Sequence, residues 1–259
     1  MDFFPFHALG FHCNPFRALT REEWVATTVL PEDLQTVSDR GFTHLQILGD
    51  KAAGKTTRLL ALQSHLDAQG RRTAYEYLPE GQDYFVTRTA ELDYFILDEV
   101  QRLNSRQRRR LAGFAGAQPV SGRFFTRSKP STPGLRLILG SHEDLRPYFA
   151  RLGLPLQTLT IQNNANHFKK VIQRRLAYFS LGENPPILLD ELAVEWLYDR
   201  FNGDYRAVLD CLYEIFQQAV DPKNPKGLAL KPFGFGDNLS RTLTLQQVQA
   251  AIALRAAQG

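Results

Sequence analysis

The feature that most restricts the fold of this chain is the segment at residues 49–56, with the sequence GDKAAGKT. It matches the pattern G-x-x-x-x-G-K-[ST], whose backbone N–H groups curl around phosphate oxygens. The pattern works between a strand and a helix, because the helix N-terminus adds positive potential at the phosphate site. The segments on either side of the loop have these patterns. Residues 42–48 alternate in hydrophobicity, which predicts a buried strand, and residues 56–69 carry leucines at helical spacing before Gly70.

The loop and the first turn after it would supply the contacts to a nucleotide. We expect Lys55 to reach the β- and γ-phosphates and the Thr56 hydroxyl to ligate Mg²⁺, so that ATP and Mg²⁺ are the predicted cofactors. The residues predicted to contact the nucleotide are Gly49, Asp50, Lys51, Ala52, Ala53, Gly54, Lys55, Thr56 and Thr57.

A second constellation follows the apolar run at residues 94–97, which is typical of a parallel strand buried on both faces. Asp98 and Glu99 come directly after it. We expect Asp98 to hold Mg²⁺ and Glu99 to orient the attacking water. Together with the phosphate loop upstream, this pair predicts hydrolysis of the nucleotide.

Strand and helix signals alternate in the first part of the chain, whereas the second part has helix signals alone. Strands are predicted at residues 42–48, 73–78, 94–97, 135–139 and 156–161, and the basic helix after the carboxylate pair is predicted to be capped by Ser105. This alternation is typical of a parallel α/β sheet. Beyond it, helices without intervening strands are predicted at residues 167–179, 187–201, 206–219 and 244–257, and loops rich in Pro and Gly at 117–134 and 221–240. We therefore predict an N-terminal segment and nucleotide-binding domain at 1–164 and a helical lid subdomain at 165–259.

These segments together resemble the AAA+ ATPases, and within them the branch of the general-secretion A-protein ATPases and the transposition ATPases. The resemblance runs from about residue 10 to residue 220. It is carried by Asn14-Pro15-Phe16, by residues 49–57 with Leu59 and Leu60, by the strand and polar turn at 137–146, by residues 172–177, and by Gly203-Asp-Tyr-Arg206. It implies a P-loop NTPase three-layer sandwich with a five-stranded parallel sheet, plus a C-terminal helical lid subdomain.

The resemblance also implies roles for single residues. Ser141, or His142 beside it, would sense the γ-phosphate, and Arg206 would couple bound nucleotide to the lid. Arg151 best fits an arginine finger that completes the site of a neighbouring subunit, which implies a homo-oligomer. Two departures stand out: the stretch between Gly70 and Asp98 is short for a helix, and Ser141 stands where an Asn is more usual.

Charge is concentrated in one block. The chain carries +4 in total. Residues 102–136 contain eight Arg and Lys129 with no acid, which is +9, so the remainder carries 4 − 9 = −5. The block offers phosphate contacts interleaved with Phe124 and Phe125 for base stacking, or a solvated face that pairs with the acidic remainder. The residues considered for nucleic acid are Arg106, Arg108, Arg109, Arg110, Arg123, Arg127 and Lys129.

Three functions remain open on these residues. The first is an ATP-hydrolysing switch that acts on a protein or DNA partner, which the Asp98–Glu99 pair and the Gly-x-x-Arg motif favour. The second is a P-loop kinase that phosphorylates a small acceptor, and the third is a non-hydrolysing binding module. Two cysteines exclude a disulfide framework, and no apolar run approaches the length of a membrane span. The N-terminus lacks the pattern of a signal peptide, so we expect a cytoplasmic protein.

Overall fold

The computed structural model describes residues 5–51, 53–116, 134–220 and 241–256. Ala52, Arg123, Arg127, Lys129 and almost all of the two predicted Pro/Gly-rich loops lie outside these ranges. The chain divides into two compact units. We call Leu30–Gln162 the sheet unit, and Met1–Val29 together with Asn163–Gly259 the helical unit.

The elements of the described residues are numbered in chain order. The strands are β1 His44–Leu48, β2 Thr73–Tyr77, β3 Tyr94–Asp98, β4 Arg136–Ser141, β5 Gln157–Thr160, β6 Ile187–Leu189 and β7 Arg241–Leu243. The α-helices are α1 Arg21–Thr27, α2 Glu32–Arg40, α3 Lys55–Ala68, α4 Ser105–Ala115, α5 Arg146–Arg151, α6 Ala165–Tyr178, α7 Glu191–Arg200, α8 Tyr205–Val220 and α9 Leu245–Ala256. Short 3₁₀ turns lie at Pro5–Leu9 and Val100–Arg102.

The sheet unit contains a five-stranded sheet in the order β2-β3-β4-β1-β5. Every pair of neighbouring strands in it is parallel. This confirms the predicted α/β class and the predicted number of strands. The carboxyl ends of β1 and β3 carry the phosphate loop and the carboxylate pair, and both ends therefore open onto the same edge of the sheet.

Helices cover both faces of this sheet. Ile96 of β3 packs in one apolar cluster with residues of α2 and α3, whereas its neighbours Phe95 and Leu97 pack in another with Leu111 of α4 and Phe149 of α5. Burial on both faces explains why β3 is a continuous apolar run rather than an alternating one. The result is the predicted three-layer sandwich.

The connection from β2 to β3 contains no helix, as the short spacing predicted. Residues 78–93 instead form an irregular crossover, which we call the β2–β3 segment. The Glu76 carboxylate of β2 accepts hydrogen bonds from the backbone N–H groups of Val86, at 2.8 Å, and Thr87, at 2.9 Å. Phe85 is buried in the cluster under α4. The Glu76 carboxylate and the buried Phe85 ring thus hold this segment against the sheet unit, whereas parallel strands are usually connected by a helix.

The N-terminal residues belong to the helical unit, which differs from the predicted 1–164 domain. Phe11 and Phe16 contact Phe216 of α8, with ring centroids 5.9 and 5.1 Å apart. Asn14, only 3 % exposed, donates to the carbonyl of Tyr213 at 2.9 Å and caps the turn through the N–H of Phe16. Aromatic burial against α8, which lies about two hundred residues away in sequence, decides this placement.

Two local predictions were wrong. Residues 187–189 form β6, which pairs in parallel with β7, and α7 begins only after Asp190. Pro185 and Pro186 favour extended backbone before Ile187, and the Pro186 carbonyl accepts the N–H of Arg241 at 2.9 Å. The basic helix α4 is capped by Asn104 rather than Ser105, because the Asn104 side chain accepts from the N–H of Gln107. In the described ranges, no helix has the length and apolar character needed to cross a membrane.

Candidate nucleotide site

The phosphate loop joins the end of β1 to the start of α3 and depends on two glycines. Gly54 has φ of +91°, a left-handed conformation that residues with a Cβ rarely adopt. A Cβ on Gly49 would lie 3.1 Å from Ile161 Cδ1, and the Gly49 N–H donates to the Ser141 carbonyl at 3.2 Å. The hydrogen bond anchors the loop to β4, and the closeness of Ile161 leaves little room for a side chain at position 49.

Lys55 is 5 % exposed and lies inside the curl of the loop. Its Nζ donates to the carbonyl oxygens of Gly49, at 3.0 Å, and Asp50, at 2.9 Å. The same ammonium lies 3.9 Å from Glu99 Oε1. A buried ammonium held mainly by two neutral carbonyls is a group that gains charge-assisted contacts when phosphate oxygens replace them.

Arg58, one turn further along α3, is a buried cation that the sequence analysis did not single out. It is 6 % exposed, and its Nη atoms donate to the carbonyls of Ala53, at 3.2 Å, and Gln162, at 3.5 Å. It ties the loop to the chain that follows β5. The sequence signal that could have found it is the position of this arginine directly before two leucines of α3, a helix that is buried on most sides.

Asp98 is completely buried at the end of β3. Its Oδ2 accepts from the Thr56 hydroxyl at 2.6 Å and from the Tyr75 hydroxyl at 3.2 Å, and its Oδ1 accepts from the Glu99 N–H at 2.9 Å. These donors offset the cost of removing a carboxylate from water. A Cβ on Gly140 of β4 would overlap Asp98 Oδ1 and lie 2.7 Å from Leu59 Cδ1, so this position requires glycine.

The adjacent Thr56 hydroxyl and Asp98 carboxylate suit Mg²⁺. This ion takes oxygen ligands and is commonly held by one or two protein groups together with phosphate oxygens and water. The contact between the two side chains brings together the two predicted metal ligands, which are 42 positions apart in sequence. The residues present therefore fit the ion that the motif implies.

Glu99 has φ of +58°, a left-handed backbone that is uncommon for a residue with a side chain. Such strain costs on the order of 1 kcal/mol and concentrates at functional positions. The carboxylate accepts a short hydrogen bond from Gln101 Nε2. Arg102 Nη2 lies 3.7 Å and His142 Nδ1 3.9 Å from Glu99 Oε2. Gln101 thus makes a hydrogen bond to this carboxylate, and nitrogen atoms of Lys55, Arg102 and His142 lie within 4 Å of it.

The two candidate sensor residues have different surroundings. Ser141 is fully buried, and its Oγ accepts from the N–H of Glu143 at 2.9 Å, which closes the turn after β4. His142 has a half-exposed side chain and lies near the carboxylate of Glu99. Ser141 thus contributes to the loop anchor through its carbonyl, whereas His142 is the member of the pair beside the proposed hydrolytic residue.

Of the two arginines implied by the resemblance, Arg151 belongs to the sheet unit and Arg206 to the helical unit. Arg151 is the last residue of α5, and its exposed side chain forms no hydrogen bond or ion pair within the described sheet unit. Arg206 lies in the first turn of α8 in the helical unit and is also exposed. Gly203 before it has φ of +72°, and a Cβ there would lie 3.0 Å from the Tyr198 hydroxyl.

The basic block does not present all its arginines to one surface. Arg108 donates to the carbonyls of Leu103, at 3.0 Å, and Gln101, and pairs with Glu143 at 3.5 Å. The Arg108 guanidinium is therefore already engaged within the fold, and its assignment to nucleic acid stays a prediction. Arg106 and Arg109 are exposed on α4 and remain candidates.

Comparison with solved structures identifies the fold of this chain. No family model and no curated protein matches the chain. Domain III of the replication initiation protein DnaA from Thermotoga maritima is similar in structure, with a TM-score of 0.50, 12 % identity, and coverage of 92 % of this chain and 98 % of that one. NtrX from Brucella abortus in complex with ADP matches with a TM-score of 0.45, 14 % identity, and coverage of 87 % of this chain.

This chain spans 56 % of the NtrX chain. The likeness to DnaA domain III shows the fold: the chain has the fold of the AAA+ P-loop ATPases, as its motifs predicted. The narrower resemblance to the general-secretion and transposition ATPases stays a prediction.

Proposed function

We propose that this protein binds ATP with Mg²⁺ and hydrolyses it, and that it works as a switch whose nucleotide state is passed to a protein or DNA partner. The observation that carries the proposal is the 2.6 Å contact between Thr56 Oγ1 and the fully buried Asp98. It joins the phosphate loop to the carboxylate pair in one cluster, with Lys55 and Glu99 beside it.

Each residue of the cluster has a task in this proposal. Lys55 exchanges the carbonyls of Gly49 and Asp50 for phosphate oxygens of the nucleotide. Thr56 and Asp98 would hold Mg²⁺, which neutralises charge that develops on the phosphates. Glu99 orients the attacking water, and its release from Gln101 accompanies that step.

The remaining roles rest on the resemblance. Ser141 or His142 detects the γ-phosphate, Arg206 relays its presence to the helical unit, and Arg151 stabilises the transition state in a neighbouring subunit. An arginine supplied in this way neutralises charge on the transferred phosphoryl group. The proposal therefore includes a homo-oligomer.

Phosphate release from ATP, with and without DNA, tests the proposal. The wild type is compared with Glu99→Gln and with Glu91→Gln, which makes the same change at an exposed position. We expect Glu99→Gln to lower the rate by two orders of magnitude or more, since it removes the residue that orients water, and Glu91→Gln to leave it unchanged.

Absence of phosphate release under every condition would overturn the hydrolytic switch. ATP-dependent labelling of a small acceptor would favour the kinase, and nucleotide binding without turnover would favour the non-hydrolysing module. Equal rates for Glu99→Gln and the wild type would remove Glu99 from the mechanism.

A further inference from the structure

A groove on the sheet unit combines basic and aromatic side chains outside the nucleotide cluster. It has a volume of about 570 Å³ and is lined by Asp83, Tyr84, Asn104, Arg106, Gln107 and Arg110. The lining residues come from the β2–β3 segment and from the beginning of α4. We call it the tyrosine–arginine groove.

The groove is held in shape by hydrogen bonds between its two walls. Asn104 Nδ2 donates to Asp83 Oδ2 at 2.8 Å, and the Asn104 N–H donates to the Asp83 carbonyl at 3.1 Å. The Asn104 side chain also caps α4. Asp83 is the acidic residue of the lining, and its carboxylate keeps its negative charge although Asn104 donates to it, so with Arg106 and Arg110 the lining has a net charge of +1.

The arginines of α4 give the groove its charge. Arg106 and Arg110 are one helical turn apart and share a face with Arg109, because residues three and four apart are neighbours on a helix. Within the described residues, none of the three forms an ion pair with a carboxylate. Arg110 lies over the rings of Phe85, at 5.1 Å, and Phe114, at 5.5 Å, which holds its guanidinium in a defined place.

Aromatic surface accompanies this charge. Tyr84 lines the groove and is 49 % exposed, and Val86 two residues later is 70 % exposed. An exposed ring beside guanidinium groups without acidic partners matches a ligand that has flat apolar faces and a string of negative charges. Unpaired nucleotides have both, since their bases stack on aromatic rings while their phosphates attract arginine. A duplex hides its base faces and offers only phosphates.

We propose that the tyrosine–arginine groove binds single-stranded nucleic acid, with a base stacked on Tyr84 and phosphates held by Arg106 and Arg110. This rests on the proposed function, since it names the partner class of the switch. The β2–β3 segment adjoins the hydrolytic cluster through Arg102, whose Nη1 donates to the Leu78 carbonyl and whose Nη2 lies 3.7 Å from Glu99 Oε2.

Binding of a labelled oligothymidylate, followed by fluorescence anisotropy without nucleotide over a range of salt concentrations, tests this assignment. We expect Tyr84→Ala to weaken binding about tenfold and Tyr84→Phe to stay within about twofold of the wild type, because stacking needs the ring and not the hydroxyl. Replacing both Arg106 and Arg110 by Ala should lower the slope of log Kd against log salt by about 1.4, at about 0.7 for each phosphate contact.

The matched control replaces Arg40 and Arg71 by Ala, two exposed arginines outside the groove, and removes the same charge. Equal losses in this control would overturn the proposal in favour of non-specific attraction. Unchanged binding by Tyr84→Ala, or competition by duplex DNA as effective as by single strands, would also overturn it. Competition by polyglutamate as effective as by oligonucleotide would point to an acidic peptide instead.

Oligonucleotide binding and phosphate release are separate measurements, so nucleic-acid binding by the groove and ATP hydrolysis can fail independently. Oligonucleotide binding is measured without ATP and also on Lys55→Ala, so it does not depend on hydrolysis. Oligonucleotide binding without phosphate release refutes the ATPase alone. Phosphate release that requires Glu99, without oligonucleotide binding, refutes the groove alone.

Discussion

Substitution of Gly140 by Ala tests the geometry around Asp98 most directly. The added Cβ would overlap Asp98 Oδ1 and lie 2.7 Å from Leu59 Cδ1, and both neighbours are completely buried. Overpacking of this kind costs about 1–3 kcal/mol. Displacing Asp98 also weakens its bonds from Thr56 Oγ1 and the Glu99 N–H, and bonds to charged groups contribute about 1.5–3 kcal/mol each. Since the carboxylate can shift and keep part of these bonds, we expect a loss of about 3 kcal/mol.

The assay must report on the sheet unit. Both tryptophans, Trp24 and Trp196, lie in the helical unit, so their fluorescence does not serve. Hydrogen exchange of the amides in β3 and β4 measures the opening of the strands that the substitution strains. Loss of Mg²⁺-dependent nucleotide binding should accompany faster exchange, because Asp98, the proposed Mg²⁺ ligand, is displaced.

Gly113→Ala is the matched control, since it makes the same change in α4 where no atom lies within 4 Å of the new Cβ. Replacing an exposed helical Gly by Ala stabilises by about 0.5–1 kcal/mol, so the two variants should move in opposite directions. Unchanged exchange and nucleotide affinity in Gly140→Ala would refute the packing argument around Asp98.

Lys55, Tyr75 and His44 each allow a separate test of a buried polar contact. Lys55→Ala should reduce nucleotide affinity at least tenfold in a fluorescent-nucleotide titration while circular dichroism stays unchanged; a melted protein would contradict this. Tyr75→Phe removes one donor to Asp98 and should cost about 1 kcal/mol of unfolding free energy in urea, and a neutral result would mean that this bond contributes nothing. Burial, and next the charge of Arg136, lower the pKa of His44, whose Nδ1 accepts from the Leu137 N–H at 3.1 Å. The unfolded state therefore binds the proton more tightly, and stability present above about pH 6.5 should fall as the pH drops below it; His44→Gln should flatten this dependence in urea titrations, and an identical slope would refute the assignment.

Local sequence was sufficient to predict the features that are built from residues close together in the chain. The loop at residues 49–56, the apolar run before Asp98 and the leucine spacing of α3 each lie within a few turns of chain. The five strands of the sheet followed from the same short-range patterns, because a parallel strand buried on both faces has its own composition. Boundaries shifted by a residue or two, and the absence of a helix between β2 and β3 could be read from the spacing alone.

Contacts between distant segments decided the rest. Phe11 and Phe16 join the helical unit because Phe216 offers them aromatic surface, and no local pattern shows that partner. Residues 187–189 become a strand because β7 lies beside them, although their local pattern also suited a helix. Short apolar segments are ambiguous in this way until a pairing partner is present.

The charge block shows the same division. The sequence determined that residues 102–136 carry nine positive charges and no negative one. Only the tertiary structure decided that Arg108 bonds to the carbonyls of Leu103 and Gln101, while Arg106 and Arg109 stay exposed. Charge is a property of composition, whereas its availability to a partner depends on which carbonyls, rings and carboxylates the fold places within reach of each guanidinium.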